Sequence, residues 1–276
     1  MRLRYAVFDL DGTLLDGRGR PHEGTLAALA GVRQRGLLPV LVTGRSVPGL
    51  RALATIDELL SLFDDQMLLH NGDVLLHRST GLVQYRRSVP ADAVHRLRTA
   101  GLEDLVVERE GRYLAYSRRA ALAFAVAYEL PRQTIRVLSR EAPALDATRI
   151  FLLGGWPQTT DGTVEDTLAG LHCAAHSVEA FRAVVIHPDD TCKAQALTAH
   201  LQARFGERGL DRAIAFGDGD NDTEMLRRSR VGVAVIGSSP AAYAAASVRL
   251  DRALAEFLAE FDPAGILHAA NVSSPD

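Results

Sequence analysis

The residues from Leu3 to Leu10, LRYAVFDL, form a short and nearly continuous apolar run that ends in the acidic turn Asp9-Leu10-Asp11-Gly12. A strand that is buried on both faces of a parallel sheet has this pattern, whereas a half-exposed strand alternates apolar and polar residues. Parallel strands need a crossover connection, usually a helix. The opening of the chain therefore predicts an α/β fold built on a parallel sheet.

The following segments supply the helices and strands that such a sheet requires. A helix is expected over His22–Arg35, which has apolar residues at helical spacing and ends before a glycine, and a second strand over Leu37–Thr43. A further helix is expected over residues 48–62 and a third strand over residues 67–70. This alternation predicts a doubly wound, Rossmann-like core.

The middle of the chain has a different pattern, in which short β-rich pieces are mixed with helices. From Lys193 onwards the strand–helix alternation returns. We therefore expect a core made of residues 1–76 and 188–276, into which residues 77–187 are inserted as an α+β domain. The pieces expected after residue 77 are helices at 91–100, 120–130, 163–171, 193–205 and 223–228, and β pieces at 81–89, 105–109, 112–116, 149–153, up to residue 186, at 213–216 and at 232–235.

Composition excludes several classes of protein. The 276 residues carry 31 Lys+Arg and 34 Asp+Glu, a formal charge of −3, so the chain has no basic field for nucleic acid. Cys173 and Cys192 match neither a disulfide framework nor a zinc site, which favours a reducing, cytoplasmic setting. The longest apolar stretch, residues 120–128, is far shorter than the roughly 20 residues of a membrane span. We expect a small-molecule partner, no nucleic acid and no membrane, while the oligomeric state stays open.

Two carboxylates, Asp9 and Asp11, close the first strand. At positions i and i+2 of an extended chain they lie on the same side, and ligands of open α/β sheets bind beyond the carboxyl ends of the strands. Such a pair can hold Mg²⁺, and one carboxylate can act as a nucleophile. Taken alone, the pentapeptide DLDGT fits a solvated, helix-capping turn equally well.

Three further polar segments are expected at the same edge of the sheet. Thr43-Gly44-Arg45 follows the second strand and offers a hydroxyl and backbone N–H groups to a phosphoryl oxygen, and Lys193 opens a helix where its ammonium can meet a phosphate. In isolation, a simple turn and a surface charge are the more common roles of such residues. Residues 217–222, GDGDND, add carboxylates that repel one another unless a cation lies among them. Phosphate bound with Mg²⁺ accounts for all four segments.

Two other kinds of site fit less well. Asp218, Asp220 and Asp222 match the first positions of a calcium-binding hand, but Thr223 stands where glycine is needed and Ser229 where a bidentate Glu is needed. The first strand is followed by D-G-T and not by G-x-G-x-x-G, which disfavours a dinucleotide-binding fold.

Taken in order, DLDGT, VTGR, Lys193 and GDGDND resemble the four motifs of the haloacid dehalogenase (HAD) superfamily of phosphatases. The insertion between the second and third motifs resembles the type 2 cap of its Cof-like sugar-phosphatase branch. The resemblance implies that Asp9 is the nucleophile and Asp11 the general acid/base, with the backbone carbonyl of Asp11 as a metal ligand. It further implies a magnesium site of Asp9, Asp11, Asp218 and Asp222, and phosphate or substrate contacts from Thr43, Gly44, Arg45, Lys193 and Asn221.

These roles predict a Mg²⁺-dependent phosphomonoester hydrolase that acts on a small phosphorylated metabolite, such as a sugar phosphate, through a phosphoaspartate on Asp9. A phosphomutase using the same phosphoaspartate and a non-catalytic sensor of phosphorylated metabolites are the alternatives. Retention of both Asp9 and Asp11 argues against the sensor, because binding alone needs no proton-transfer group.

The sequence departs from the family pattern in two places. Ala194 follows the motif lysine where a glycine is common, and residues 232–237, GVAVIG, replace the usual GVAMGN. Neither change removes a catalytic group, but the second alters a loop expected beside the site.

Several residues keep two interpretations. Asn71-Gly72 matches a family motif near the cap junction, and it is also typical of a type I′ hairpin turn, which we favour. Arg45 fits a phosphate contact or an ion pair at the domain interface, and Trp156 fits packing on its own domain better than a substrate contact.

Overall fold

The computed structural model describes residues 2–53, 56–128, 130–153, 163–178 and 182–265. The chain divides into two compact units: a core unit, Met1–Gln84 with Cys192–Asp276, and an inserted unit, Tyr85–Thr191. The expected junctions lay a few residues earlier, near residues 76 and 187. The chain stays with the core unit as far as Gln84 because a strand at Val83–Tyr85 adds to a sheet formed by earlier residues.

The helices and strands follow one another as the periodicity predicts, with some shifts. The strands are β1 (Tyr5–Phe8), β2 (Leu38–Leu41), β3 (Gln66–Leu69), β4 (Val74–His77), β5 (Val83–Tyr85), β6 (Leu105–Arg109), β7 (Arg112–Ala115), β8 (Ile135–Val137), β9 (Arg149–Leu153), β10 (Cys173–Val178), β11 (Ala183–Pro188), β12 (Ala213–Gly217), β13 (Val231–Ala234) and β14 (Val248–Arg249). The helices are α1 (Thr25–Gln34), α2 (Val47–Arg51), α3 (Ile56–Ser61), α4 (Ala91–Thr99), α5 (Arg118–Ala127), α6 (Thr163–Leu168), α7 (Lys193–Phe205), α8 (Thr223–Arg228), α9 (Pro240–Ala245) and α10 (Leu254–Glu260).

The core unit is built on a five-stranded parallel sheet in the order β14-β13-β12-β1-β2. Side chains of β1 alternate between the two faces of this sheet: Ala6 and Phe8 pack with α1 and α10, and Tyr5 and Val7 pack with α7 and α8. Because helices cover both faces, both sets of β1 side chains are buried. The doubly wound α/β core expected from the sequence is therefore present.

The inserted unit contains a six-stranded sheet in the order β10-β11-β9-β6-β7-β8, in which only β7 and β8 pair in parallel. One face packs against α4 and α6, and the other packs against α5. The unit is thus α+β, as the mixed texture of this region predicts. Within the described residues, no helix has both the length and the apolar character that a membrane crossing requires.

The single helix expected over residues 48–62 is instead two short helices, α2 and α3. Leu50 of α2 and Ile56 of α3 are both buried in the same apolar cluster. In one continuous helix, residues six positions apart lie on different faces. Two separate helices allow both side chains to reach the core.

The third predicted strand, β3, pairs with β4 in an antiparallel hairpin and not in the main sheet; a single parallel bridge, Val42↔Leu68, links it to the end of β2. The hairpin interpretation of Asn71-Gly72 is correct, but the two-residue type I′ turn is not. Leu69 pairs with Val74, so four residues make the connection, and they include a helical turn at His70–Gly72. Asn71 has φ 56° and ψ 21°, the left-handed conformation that asparagine tolerates best among ordinary residues.

Candidate active site

Asp9 stands at the carboxyl end of β1, which lies between β12 and β2 in the parallel sheet. Its backbone N–H donates to the carbonyl of Phe216 at 3.0 Å, which extends the β1–β12 ladder by one residue. The side chain is buried, with 6% of the residue exposed. The sheet therefore delivers a carboxylate to its own edge and holds the backbone on which that carboxylate stands.

Lys193, the first residue of α7, lies between two buried carboxylates. Its Nζ donates to Oδ1 of Asp9 and to Oδ1 of Asp222, both at 2.7 Å. Lys193 and Asp222 are fully buried. A lysine in this setting is not the solvated surface charge that a lone lysine usually is.

Burial and neighbouring charges shift the ionisation of this cluster. Burial raises the pKa of Asp9 to about 7, although Lys193 acts in the opposite direction. Burial acts to lower the pKa of Lys193, but the facing carboxylates outweigh it, and that pKa is raised. Burial also raises the pKa of Asp218. The site thus holds more negative charge than one ammonium compensates, which is a common property of functional sites.

Thr13 and Gly12 join the first motif to the acidic loop of residues 217–222. The hydroxyl of Thr13 donates to Oδ1 of Asp218 at 2.8 Å. Gly12 has φ 74°, and a Cβ at this position would lie 2.2 Å from Oδ2 of Asp218. Only glycine allows this backbone and this approach together.

The acidic loop is also braced from within and from the following segment. Oδ2 of Asp222 accepts the backbone N–H groups of Asp218 and Gly219 at 3.1 and 3.0 Å. The hydroxyl of Ser239 donates to Oδ1 of Asp220 at 2.5 Å, and its backbone N–H donates to the carbonyl of Asp218 at 2.8 Å. Residues 232–237, which depart from the family pattern, therefore lie just before Ser239, whose hydrogen bonds hold the acidic loop.

The acidic cluster fits a divalent cation. Asp9, Asp218 and Asp222 each offer one carboxylate oxygen, and these oxygens lie within 4.8 Å of one another. Hard oxygen donors of this kind suit Mg²⁺. The carboxylate of Asp11 is not a member of this group. The resemblance assigns the backbone carbonyl of Asp11, and not its side chain, to the metal site.

The segment Thr43-Gly44-Arg45 offers fewer backbone donors than expected. The N–H of Thr43 donates to the carbonyl of Leu68 at 2.9 Å, and the N–H of Arg45 donates to the hydroxyl oxygen of Thr43 at 3.1 Å. Both groups are used to hold the loop itself. The hydroxyl proton of Thr43 and the N–H of Gly44 are the donors that fit a phosphoryl oxygen.

Asn71 connects this loop to the acidic loop. Its backbone N–H donates to the carbonyl of Thr43 at 2.8 Å, and its Oδ1 accepts from Nδ2 of Asn221 at 3.0 Å. The two amides lie over Gly44, whose missing Cβ would come within 3.3 Å of Oδ1 of Asn71. Asn71 therefore belongs to the site as well as to a hairpin connection.

Asp11 and Arg45 form an ion pair beside the cluster. Nε of Arg45 donates to Oδ2 of Asp11 at 2.7 Å, and Nη2 donates to Oδ1 at 2.6 Å. Phosphate and an ion pair at the domain interface are the partners of Arg45 that the sequence suggests. The partner is a carboxylate of the core unit's own first motif.

Sequence reasoning missed the roles of Thr13, Asn71 and Ser239 at this edge. Each acts through a hydrogen bond to a residue far away in the chain, and no local pattern reports such a pairing. The available signals were weak: a hydroxyl within DLDGT, a family-like Asn-Gly, and the altered loop before Ser239. Trp156 lies outside the described residues.

Known proteins resemble the chain over most of its length. A relative named HMP-PP phosphatase, from Escherichia coli (strain 55989 / EAEC), is 28% identical over 226 residues, which are 81% of this chain and 80% of the relative. A haloacid dehalogenase-like hydrolase from Bacteroides thetaiotaomicron has a TM-score of 0.74 at 20% identity, covering 94% of this chain and 99% of that chain. A HAD subclass IIB sugar phosphatase has a TM-score of 0.69 at 18% identity, covering 94% and 98%.

The family of haloacid dehalogenase-like hydrolases matches residues 6–140 and 157–254, which include all four motifs. The match covers far more than half of the chain, and it agrees with the fold and with the site that the motifs predict. The chain belongs to the family of haloacid dehalogenase-like hydrolases.

Proposed function

We propose that the protein is a Mg²⁺-dependent phosphomonoesterase that hydrolyses a small phosphorylated metabolite through a phosphoaspartate on Asp9. One observation carries the proposal: a fully buried lysine binds Asp9 and Asp222, and Asp218 lies in the same cluster. A cluster with three carboxylates and one ammonium is costly to bury and suits a cation and an anionic substrate.

In the first half-reaction, a carboxylate oxygen of Asp9 attacks phosphorus. The P–O bond to the leaving group breaks, and Asp11 transfers its proton to the departing alkoxide. The ammonium of Lys193 holds Asp9 by one oxygen and supplies positive charge to the phosphoryl oxygens. The hydroxyl of Thr43 donates to a phosphoryl oxygen in the same step.

In the second half-reaction, the ionised Asp11 accepts a proton from water as that water attacks the phosphoaspartate. The bond between phosphorus and Asp9 breaks, inorganic phosphate leaves, and both carboxyl groups return to their starting states. Asp11 thus serves as acid in one half and as base in the other.

Mg²⁺ would be held by Asp9, Asp218, Asp222 and the backbone carbonyl of Asp11, and it would supply positive charge that offsets the repulsion between nucleophile and substrate. Thr13 supports this role, because its hydrogen bond orients Asp218. The two backbone N–H groups that donate to Asp222 do the same for that residue.

A small phosphorylated metabolite is the substrate class that the relatives favour. One is named for HMP-PP and another for sugar phosphates. We propose a substrate of that size with a hydroxyl-bearing leaving group. We further propose a cytoplasmic location, since no zinc or disulfide pattern accompanies the two free cysteines.

The test is phosphate release from a panel of phosphorylated sugars, nucleotides and cofactors, with Mg²⁺ or with EDTA. We expect Mg²⁺-dependent release for the wild type and none for Asp9→Asn, and the best substrate identifies the leaving group. Asp16→Asn is the matched control. Asp16 is an aspartate of the loop that follows the same motif, and its carboxylate binds Arg20.

Two other results would replace the proposal. Formation of a sugar-phosphate isomer without net phosphate release would indicate a phosphomutase. Substrate binding without either product, by a folded protein that binds Mg²⁺, would indicate a sensor.

A further inference from the structure

The ion pair between Arg45 and Asp11 places a guanidinium against the proposed proton donor. We propose that Arg45 is a positioning residue, which fixes the direction of the Asp11 carboxylate, and that it is not a phosphoryl ligand. The inference rests on the proposed role of Asp11 as the acid/base of the reaction. It concerns the leaving-group side of that reaction and not the phosphoryl side.

The pair has two parallel hydrogen bonds. Nε and Nη2 of Arg45 each bind a different oxygen of Asp11, at 2.7 and 2.6 Å. A planar guanidinium that meets both oxygens of a carboxylate fixes the plane of the carboxylate as well as its position. A point charge such as an ammonium would fix only the distance.

The guanidinium is itself held from the opposite side. Nη1 of Arg45 donates to the carbonyl of Gly49 in α2 at 3.2 Å. The first turn of α2 is capped by Ser46, whose hydroxyl oxygen accepts the N–H of Gly49 at 2.9 Å. Arg45 therefore connects Asp11 to a capped helix and not to a mobile side chain.

The backbone of Arg45 is fixed as well. Its N–H donates to the hydroxyl oxygen of Thr43, and its carbonyl accepts the N–H of His70 at 3.0 Å. Contacts on the backbone and along the side chain leave Arg45 little freedom. A residue with such support can transmit a defined orientation to its partner.

Asp11 needs a partner of this kind because it is more exposed than Asp9 and Asp222. Its side chain is 46% exposed, whereas those of Asp9 and Asp222 are 9% and 0% exposed. Asp11 also stands outside the cluster that brings Asp9, Asp218 and Asp222 together. Without Arg45, a half-exposed carboxylate would sample several orientations, of which few suit proton transfer.

The two possible roles of Arg45 differ in how they depend on the leaving group. A phosphoryl ligand contributes to every phosphomonoester alike. A residue that orients Asp11 contributes where the leaving group needs a proton, as an alkoxide does, and much less where a stable anion such as p-nitrophenolate departs. The quantity to compare is kcat/KM, because it reports the steps up to phosphoenzyme formation.

The experiment compares Arg45→Lys with wild type on an alkyl phosphomonoester, 2-glycerol phosphate, and on p-nitrophenyl phosphate. We expect kcat/KM for the alkyl ester to fall about 10- to 100-fold, the loss that misorientation commonly causes. For p-nitrophenyl phosphate we expect a change below about threefold, and an inhibition constant for orthovanadate that equals the wild-type value. In an Asp11→Asn background, the added Arg45→Lys change should cause no further loss.

Arg20→Lys is the matched control. Arg20 pairs with Asp16 through the same two nitrogens, with Nε and Nη2 at 3.2 and 2.9 Å from Oδ2, but in a more exposed setting. The two substrates should be hydrolysed by this variant at wild-type rates. A double-mutant cycle of Arg45→Ala and Asp11→Ala on urea unfolding should show positive coupling, independently of activity.

Equal losses on both substrates together with weaker vanadate inhibition would make Arg45 a phosphoryl ligand and overturn the inference. Absence of coupling between Arg45 and Asp11 in the unfolding cycle would show that the two side chains do not form this ion pair in solution, and it would overturn the inference. If the wild type hydrolyses neither probe with Mg²⁺, the proposed function fails, whereas the unfolding cycle still tests the Arg45–Asp11 pair, so the two failures are distinguishable.

Discussion

Both units of the chain bury charged side chains, but they balance the charges differently. In the inserted unit, Asp104 accepts a hydrogen bond from the hydroxyl of Ser117 at 2.7 Å and forms an ion pair with Arg119. Buried Glu108 and buried Arg149 are directly opposed on β6 and β9. Asp104 thus has a cation for its partner, and Glu108 has one directly opposite it on the neighbouring strand.

The core unit instead collects three carboxylates around one ammonium, at the edge of its sheet. Opposite charges in equal number stabilise a fold or leave it unaffected, whereas an excess of one sign costs stability unless a ligand compensates it. The imbalance of buried charge, more than burial itself, therefore distinguishes a functional cluster from a structural pair.

The largest expected effect comes from removing the proposed nucleophile. Asp9→Asn should lower kcat/KM at least about 10³-fold, because the substituted amide cannot form the phosphoaspartate. Steady-state phosphate release measures the loss, and circular dichroism checks the fold. A variant with wild-type activity would contradict the mechanism.

Lys193→Met removes the only cation of the cluster among the described residues and makes the imbalance worse. We expect kcat/KM to fall about 10²- to 10³-fold, as it does when a charge-stabilising donor is lost from a catalytic site. Mg²⁺ should raise the melting temperature of this variant more than that of the wild type. Unchanged kcat/KM would return Lys193 to a purely structural role.

In the inserted unit, the same kind of change should affect stability and not turnover. Asp104→Ala leaves a hydroxyl without its acceptor and should lower the free energy of unfolding by about 1–3 kcal/mol. Asp92→Ala, which breaks the exposed pair with Arg96, should cost less than about 0.5 kcal/mol. Urea unfolding measures both values, and a loss of turnover in folded Asp104→Ala would contradict the contrast between the units.

A pH dependence of stability is also expected in metal-free protein. Asp9 has a pKa of about 7 in the folded chain against 3.8 as its ordinary value, so the folded state keeps a proton that the unfolded state has lost. Stability should therefore fall as pH rises from about 4 to about 7. Urea unfolding in EDTA over this range should show a shallower decline for Asp9→Asn, and an identical decline would contradict the assignment to Asp9.

Local patterns predict the parts of the fold that depend on neighbours in the chain. The bounds of α7 and α8 match their predicted residues, because apolar spacing and first-turn chemistry are local. The partner of β3 could not be predicted, since a four-residue apolar run fits the main sheet and a hairpin equally well. The same limit applies within the site.

The sequence could predict that three of the charged residues meet. Asp9 and Asp218 follow strands and Lys193 begins a helix, all at the carboxyl edge of one parallel sheet. The pairing of Arg45 with Asp11 could not be predicted. It depends on the direction of two side chains, and a sequence pattern reports only which residues are near the edge.

The order of strands in the core sheet has a consequence for how the chain folds. β1 pairs with β12, and Phe8 and Phe216 are register partners in this pairing. In the sequence, Phe8 comes before the inserted unit and Phe216 comes after it. During synthesis, one edge of β1 has no partner until the ribosome has made more than two thirds of the protein, and Asp9 cannot bind Lys193 before a similar stage. We expect the insertion to fold ahead of the sheet that surrounds it in sequence, and an exposed β1 edge to be the point at which an interrupted chain aggregates.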